Sequence, residues 1–277
     1  MTDRRDPLPT DVDTLPPLPG IYDATLDRGL DALGFVLDPL AREAIADHVR
    51  LLLAWTEAIN LTAIREPGAV AREHILDSLT AMPMLRALRT RAFIDLGSGG
   101  GFPGLPLALA LPAEQALLVE SVGKKATFLA SVVDALGARP RIAVAATRAE
   151  TLARDPHHRE RWPAVTARAV GALSELVELS LPLLADGGSL VAWKRSIVLD
   201  TDDALADGAQ PTRRLDRELA GGARAASALG GGDPVVHKVT VPGLEDHVLI
   251  VVTKRGPTPT GYPRDPALRR RAPWRDD

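Results

Sequence analysis

From residue 38 onward the chain switches between two periods of apolar and polar positions. Asp38-Pro39 reads as a helix start, a capping carboxylate followed by proline at the first helical position. Ile45, Val49, Leu52, Trp55 and Ile59 then recur at helical spacing and predict a core-facing helix that stops near Asn60. Glu66-Pro67 opens a second helix, which Val70, His74, Ile75, Ser78 and Leu79 carry to Met82-Pro83. Beyond residue 90, short apolar runs alternate with helical stretches. Strands are predicted at Phe93–Leu96, Ala116–Glu120, Arg141–Ala145, Ala164–Ala167 and Ser189–Trp193. Helices are predicted at Leu105–Leu111, Gly123–Gly137 and Leu173–Leu184. That alternation implies parallel βαβ units with right-handed crossovers, hence an α/β sheet. Residues 196–232 are expected to hold a crossover helix with loose ends. Val235–Val241 and His247–Thr253 are close enough in sequence to form an antiparallel hairpin at one side of the sheet.

The two ends lack such periods. Residues 1–37 are rich in Pro and Asp and are predicted to be largely disordered, with a short helix near Tyr22–Leu33. From Gly256 onward Pro and Arg dominate, predicting an irregular basic tail. The expected division is therefore a tail at 1–37, a helical module at 38–90, an α/β domain at 91–255 and a tail at 256–277.

Composition narrows the classes. The chain has 277 residues, 45% of them apolar, with mean hydropathy +0.01, as in a globular protein with a substantial core. Without an apolar run of about 20 residues, no membrane span is expected. The N-terminus has no apolar stretch of the kind a secretory signal needs. Cysteine is absent, which excludes disulfides, thiolate metal sites and a Cys nucleophile and fits a reducing, cytoplasmic setting. His157-His158 has no third ligand at metal-binding spacing, so no metal is expected. Net charge is −3, so the molecule as a whole does not present a basic field. Charge concentrates at the ends: residues 1–38 hold eight Asp against three Arg, and residues 254–277 hold six Arg and one Lys against three Asp. The basic end is either a solvated tail or a phosphate contact.

The densest chemistry lies in RAFIDLGSGGGFPGLPL, residues 91–107. A strand feeds Gly97, Gly99, Gly100 and Gly101 into a helix, a common way to cradle a nucleotide-like cofactor. Gly99, Gly101 and Gly104 match the dinucleotide spacing, but Asp95 at the strand end would repel a pyrophosphate. An acid there suits a cofactor without phosphates or one bearing positive charge, such as S-adenosylmethionine. Glu120 ends the next strand, where a carboxylate can take two ribose hydroxyls; both acids could alternatively only cap local backbone.

These residues resemble the ribosomal RNA small subunit methyltransferase G family, also called glucose-inhibited division protein B. The resemblance runs through most of residues 50–254. It is carried by WTEAINLTAI (55–64), REHILDS (72–78), the glycine stretch, LLVESVGKKATFL (117–129), TRAE (147–150) and ARAV (167–170). It implies a Rossmann-like S-adenosylmethionine-dependent methyltransferase sheet of about seven strands, mostly parallel, with an N-terminal helical extension. It implies methyl transfer to the N7 of one guanosine in 16S rRNA, with the rRNA or small ribosomal subunit as partner and a monomeric chain. Gly97 and Phe102 would line the cofactor from the turn, beside Asp95, Gly99, Gly101 and Glu120. Ala149 and Glu150 would meet its adenine side, and Arg168 would stand beside cofactor and base. Lys124, Lys125, Lys194 and His247 would be candidates for the RNA.

Two positions depart from the family pattern. Lys194-Arg195 stands where Lys-Gly is usual, and Glu245-Asp246-His247 where many members have Glu-Arg-His. The second change puts an acid where a phosphate-binding Arg would be expected.

Guanine N7 carries a free lone pair at neutral pH, so no general base is required and positioning can dominate. His74 and Asp77, three residues apart on one helix, suit either a structural hydrogen bond or a substrate contact. Arg168 could equally be a salt-bridge arginine, and Lys124-Lys125 plain surface charge. Methylation of a small molecule or protein, a non-catalytic cofactor-binding RNA module, and a nicotinamide oxidoreductase are the competing readings.

Overall fold

A computed structural model describes residues 8–196 and 212–274, with nothing stated of the side chains at 212–214. Asp38 Oδ1 accepts from the Leu40 amide (2.9 Å) at the head of the long helix α2 (Pro39–Thr56), as its sequence predicts. Before it lies α1 (Gly20–Leu33). After it, Glu66 caps α3 (Pro67–Val70), and the chain continues through one π-helical stretch (Ala71–Leu76) into α4 (Asp77–Leu79) and α5 (Met82–Ala87).

The sheet strands are β1 (Ala92–Leu96), β2 (Gln115–Val119), β3 (Ile142–Ala145), β4 (Trp162–Arg168), β5 (Leu184–Arg195), β6 (Val235–Lys238) and β7 (His247–Thr253). Between β1 and β5 run α6 (Gly104–Ala110), α7 (Gly123–Ala135), α8 (Ala149–Arg154) and α9 (Leu173–Ser180). The crossover helix is α10 (Thr212–Ala228), and α11 (Pro266–Arg271) follows β7. Strand order is β3-β2-β1-β4-β5-β7-β6. The first five strands pair in parallel, and β7 runs antiparallel to both β5 and β6. The expected seven-stranded α/β sheet and its closing hairpin are thus present.

Side chains alternate across each strand, and the core follows that alternation. Phe93 and Leu118 join one apolar cluster with α2, α6 and α7, including Leu52, Trp55, Phe102 and Phe128. Ile94, Leu96, Leu117 and Val119 join the opposite cluster with Leu152, Leu176 and Leu229. Each fully buried Leu or Phe contributes about 1.5–3 kcal/mol, so the N-terminal helices are bound to the sheet by the same core that binds α6 and α7.

The helix expected near Tyr22–Leu33 is present as α1, but both ends are packed more closely than their composition predicts. Tyr22, Leu26 and Leu30 of α1 are buried, and Val12 packs with them. Trp55 Nε1 donates to the Pro9 carbonyl (2.6 Å), and Arg50 donates to the carbonyls of Val12 (2.8 Å) and Pro16 (3.0 Å). Average composition hid a few apolar residues at helical spacing. At the other end, Arg264 pairs with the fully buried Glu178 (2.6 Å), and Trp274 Nε1 donates to the same carboxylate (2.7 Å). Arg159 donates to the carbonyls of Thr258 (3.0 Å), Pro259 (3.1 Å) and Tyr262 (2.8 Å). Arginines that looked like solvated charge are satisfied by buried acids and backbone.

Candidate active site

In open α/β sheets ligands settle at the carboxyl ends of the strands where strand order reverses, here between β1 and β4. Gly97 and Gly99 sit just past β1 with φ +70° and +53°, left-handed values that glycine adopts without cost. A Cβ at Gly99 would meet nothing nearer than the Gly97 carbonyl oxygen at 3.8 Å, so this face of the turn is open. The Gly99 amide donates to Glu120 Oε2 (2.9 Å), and the Val122 amide donates to Glu120 Oε1 (2.7 Å). Glu120 therefore ties the glycine turn to the end of β2, and each oxygen keeps acceptor capacity for a ligand.

Three residues expected against the cofactor turn inward. Asp95 is completely buried; its Oδ1 accepts from Thr166 Oγ1 (2.7 Å), and its Oδ2 has no partner among the described residues. Burial raises its pKa to about 6. It braces the turn from below and does not line it. Gly101 faces α2, where a Cβ would fall 2.8 Å from His48 Nε2. Phe102 is buried against His74, with ring centroids 4.4 Å apart, and Arg168 Cζ lies over the Phe102 ring, 5.3 Å from its centroid. The strand–turn pattern does not reveal which face of each turn residue the N-terminal helices cover.

Two clefts flank the segment after β4. The first, about 190 Å³, is lined by Gly97, Thr147, Arg148, Ala149, Glu150 and Val170, among others. The second, about 440 Å³, is lined by His74, Asp77, Arg168, Trp193, Lys194 and His247, among others. Asp77 organises the second. Its Oδ2 accepts from Arg168 Nη1 (2.7 Å) and its Oδ1 from His247 Nδ1 (2.8 Å), while Trp193 Nε1 donates to its carbonyl (2.7 Å). Arg168 also donates to the Glu73 carbonyl (2.9 Å) and, through Nη2, to His74 Nδ1 (3.2 Å). Because Arg168 can only donate, His74 carries its proton on Nε2 and gives it to Thr62 Oγ1 (2.7 Å). Burial, reinforced by the nearby Arg168 charge, lowers the His74 pKa to about 4. The His74–Asp77 pair is thus structural in its hydrogen bonding and also walls a cleft.

The remaining candidates divide. Lys194 lines the second cleft, but its ammonium is bound to the Gly171 carbonyl (2.7 Å) and Glu218 (2.9 Å). Lys124 and Lys125 extend from the first turn of α7, line neither cleft and make no ion pair among the described residues. His48 is a site-supporting residue that the motifs do not mark. It is buried on α2, and its Nε2 donates to the Gly100 carbonyl (2.8 Å), joining the N-terminal module to the glycine turn. Its one sequence signal is a polar residue on the apolar stripe of Ile45, Val49 and Leu52. No group of three or more His, Cys, Asp or Glu side chains placed to hold a metal ion occurs among the described residues. No described helix is long and apolar enough to cross a membrane.

Fold and site together define a Rossmann-like methyltransferase architecture. An O-methyltransferase from Bacillus cereus, solved in complex with SAH, shares the fold with TM-score 0.51 at 15% identity, over 88% of this chain and 100% of that one. The family model for rRNA small subunit methyltransferase G matches residues 41–209. Proteins named ribosomal RNA small subunit methyltransferase G are similar at high coverage. The one from Roseiflexus sp. (strain RS-1) is 39% identical, over 87% of this chain and 95% of its own length. That from Chloroflexus aggregans is 40% identical, over 85% and 92%. The chain belongs to the rRNA small subunit methyltransferase G family.

Proposed function

We propose that this chain transfers the methyl group of S-adenosylmethionine to the N7 of a guanosine in 16S rRNA. The observation that carries the reading is the pair of clefts on either side of the segment after β4. Val170 lines the one beside the glycine turn, and Arg168 and Ala169 line the one built on Asp77.

The residues fit the cofactor. A Cβ at Gly99 would fill the open face of the turn, which the Glu120 carboxylate holds, and in the adjoining cleft the cation Arg269 is paired with Glu150. Gly97, Gly99, Glu120, Ala149 and Glu150 would hold it. S-adenosylmethionine supplies an electrophilic methyl carbon on a sulfonium centre. Guanine N7 needs no deprotonation, so the task of the chain is orientation. Arg168 is 16% exposed, and its three hydrogen bonds leave Nε and one Nη2 proton for an acceptor on the base. His247 gives its Nδ1 proton to Asp77, and its Nε2, 3.6 Å from Asp246 Oδ1, lies beside the same cleft.

The partner is the small ribosomal subunit or its 16S RNA, and the chain acts as a cytoplasmic monomer. Incubation with labelled S-adenosylmethionine and undermethylated small subunits, followed by mapping of the modified base, tests the reading. Label at N7 of a single guanosine is expected; label in no RNA overturns it.

A further inference from the structure

The basic C-terminal segment ends beside the cleft of the glycine turn. Arg269, on α11, lines that cleft together with Gly97, Thr147, Ala149 and Glu150. Its Nη2 pairs with Glu150 Oε1 and lies 3.3 Å from Glu175 Oε1. The Arg269 and Glu150 side chains are only 10% and 9% exposed, so the pair is largely removed from water. Arg269 Nε is buried without a partner among the described residues, so this guanidinium is held for its position at some cost in hydrogen bonding.

The segment that delivers Arg269 is firmly seated. Lys254, almost fully buried, donates to Glu160 (2.8 Å), the Leu181 carbonyl (2.6 Å) and Thr258 (2.6 Å). Arg154 donates to the Pro263 carbonyl (3.0 Å), and Asp265 caps α11 at the Ala267 amide (2.8 Å). Arg269 Nη1 returns to the Arg264 carbonyl (3.2 Å).

We propose that the segment 256–274 is part of the cofactor site, and that Arg269 is a positioning residue which fixes Glu150 and walls the nucleoside end of the cleft. The inference rests on the cofactor reading above but not on the RNA substrate. Without Arg269, Glu150 and Glu175 face each other with no cation between them, and the turn that carries Ala149 loses its anchor.

Calorimetry with S-adenosylhomocysteine compares the full chain with Arg269→Gln and Arg269→Lys. A charge-assisted bond of this kind converts to a loss of roughly tenfold or more in affinity for Arg269→Gln, with partial recovery in Arg269→Lys. In turnover, the Michaelis constant for S-adenosylmethionine should rise while that for RNA stays unchanged, a split that general loss of structure would not produce. Hydrogen exchange on the unaltered chain provides a check free of folding defects: the amides of residues 266–271 should be protected by S-adenosylhomocysteine. Wild-type affinity in folded Arg269→Gln, or unchanged exchange at 266–271, overturns the proposal. An unaltered chain that does not bind S-adenosylhomocysteine removes the cofactor reading and this inference together. Arg269-dependent binding without label in RNA removes only the substrate.

Discussion

Arg168 and Asp77 are 91 positions apart in the chain and meet with Nη1 2.7 Å from Oδ2. The contact joins the end of β4 to the helical segment before β1, and His247 from β7 completes it on the other carboxylate oxygen. Three separate stretches of chain thus converge on one buried acid.

Asp77→Asn leaves Arg168 without its counter-charge. Loss of one partner of a buried pair costs roughly 3–5 kcal/mol, and the partial exposure of Arg168 reduces this to about 2–3 kcal/mol. Urea unfolding should show the loss, and methyl transfer should fall with it. The double variant Asp77→Asn/Arg168→Gln should lose less than the two single changes added together. Strict additivity would mean that the pair is not coupled.

Neighbouring glycines of the turn should fail in different ways. Gly99→Val places its side chain in open space but puts a β-branched residue at φ +53°, so it should cost about 1–3 kcal/mol of backbone strain while cofactor binding is abolished. Gly100→Ala brings a Cβ to 2.9 Å from Leu52 Cδ1 on α2, so it should cost about 1–3 kcal/mol of stability with a smaller effect on affinity. Calorimetry beside thermal unfolding separates the two. Unchanged affinity in folded Gly99→Val ends the assignment of this turn.

His48 should make the protein acid-sensitive. Burial lowers its folded pKa from 6.5 to about 4. Between those values the unfolded chain binds the extra proton, so the stability present above pH 6.5 is lost as pH falls through this window. By pH 5 the loss amounts to about 2 kcal/mol relative to pH 7. His48→Gln keeps a donor toward the Gly100 carbonyl but does not titrate, so its deficit against the unaltered chain should shrink by that amount. Asp95 acts with the opposite sign. Its pKa is raised from 3.8 to about 6, so its burial costs stability as pH rises through that range, and Asp95→Asn should gain on the unaltered chain there. Parallel stability curves for either variant and the unaltered chain would contradict these assignments.

The altered charges at the rim of the second cleft offer a test of RNA contact. Arg195 pairs with His247 in register across β5 and β7, and its Nη1 lies 3.3 Å from Asp246 Oδ2. Arg195 is 54% exposed. The cation absent at position 246 is therefore matched by one on the neighbouring strand. Arg195→Gln should weaken RNA binding and reduce the slope of log affinity against log salt by about one, and Asp246→Asn should strengthen binding. Filter binding across a salt series reads both, and a salt slope unchanged in Arg195→Gln would exclude a phosphate contact there.

Much of the fold was legible because its signals are local. The caps at Asp38 and Glu66, the stripe on α2 and the run of short apolar strands each depend on neighbours a few residues away. The glycine turn and Glu120 were legible for the same reason, since a strand end and the next turn lie close in sequence. The helix near Tyr22–Leu33 was legible too, but the packing of both ends was not, because Pro, Asp and Arg dominate their averages while a few residues decide their fate. Tyr22, Leu26 and Leu30 bury one end, and Arg264 with Glu178 fixes the other.

The sequence by itself determined the alternation of strands and helices, the glycine turn after the first strand and the family to which the chain belongs. Only the tertiary structure decided that Asp95 and Phe102 face inward, that His48 holds Gly100, that Asp77 gathers Arg168 and His247, and that Arg269 reaches Glu150. Periodicity shows which face of an element is buried but not what buries it. The partner of a buried charge comes from another part of the chain, and desolvation makes that partner necessary without naming it in advance.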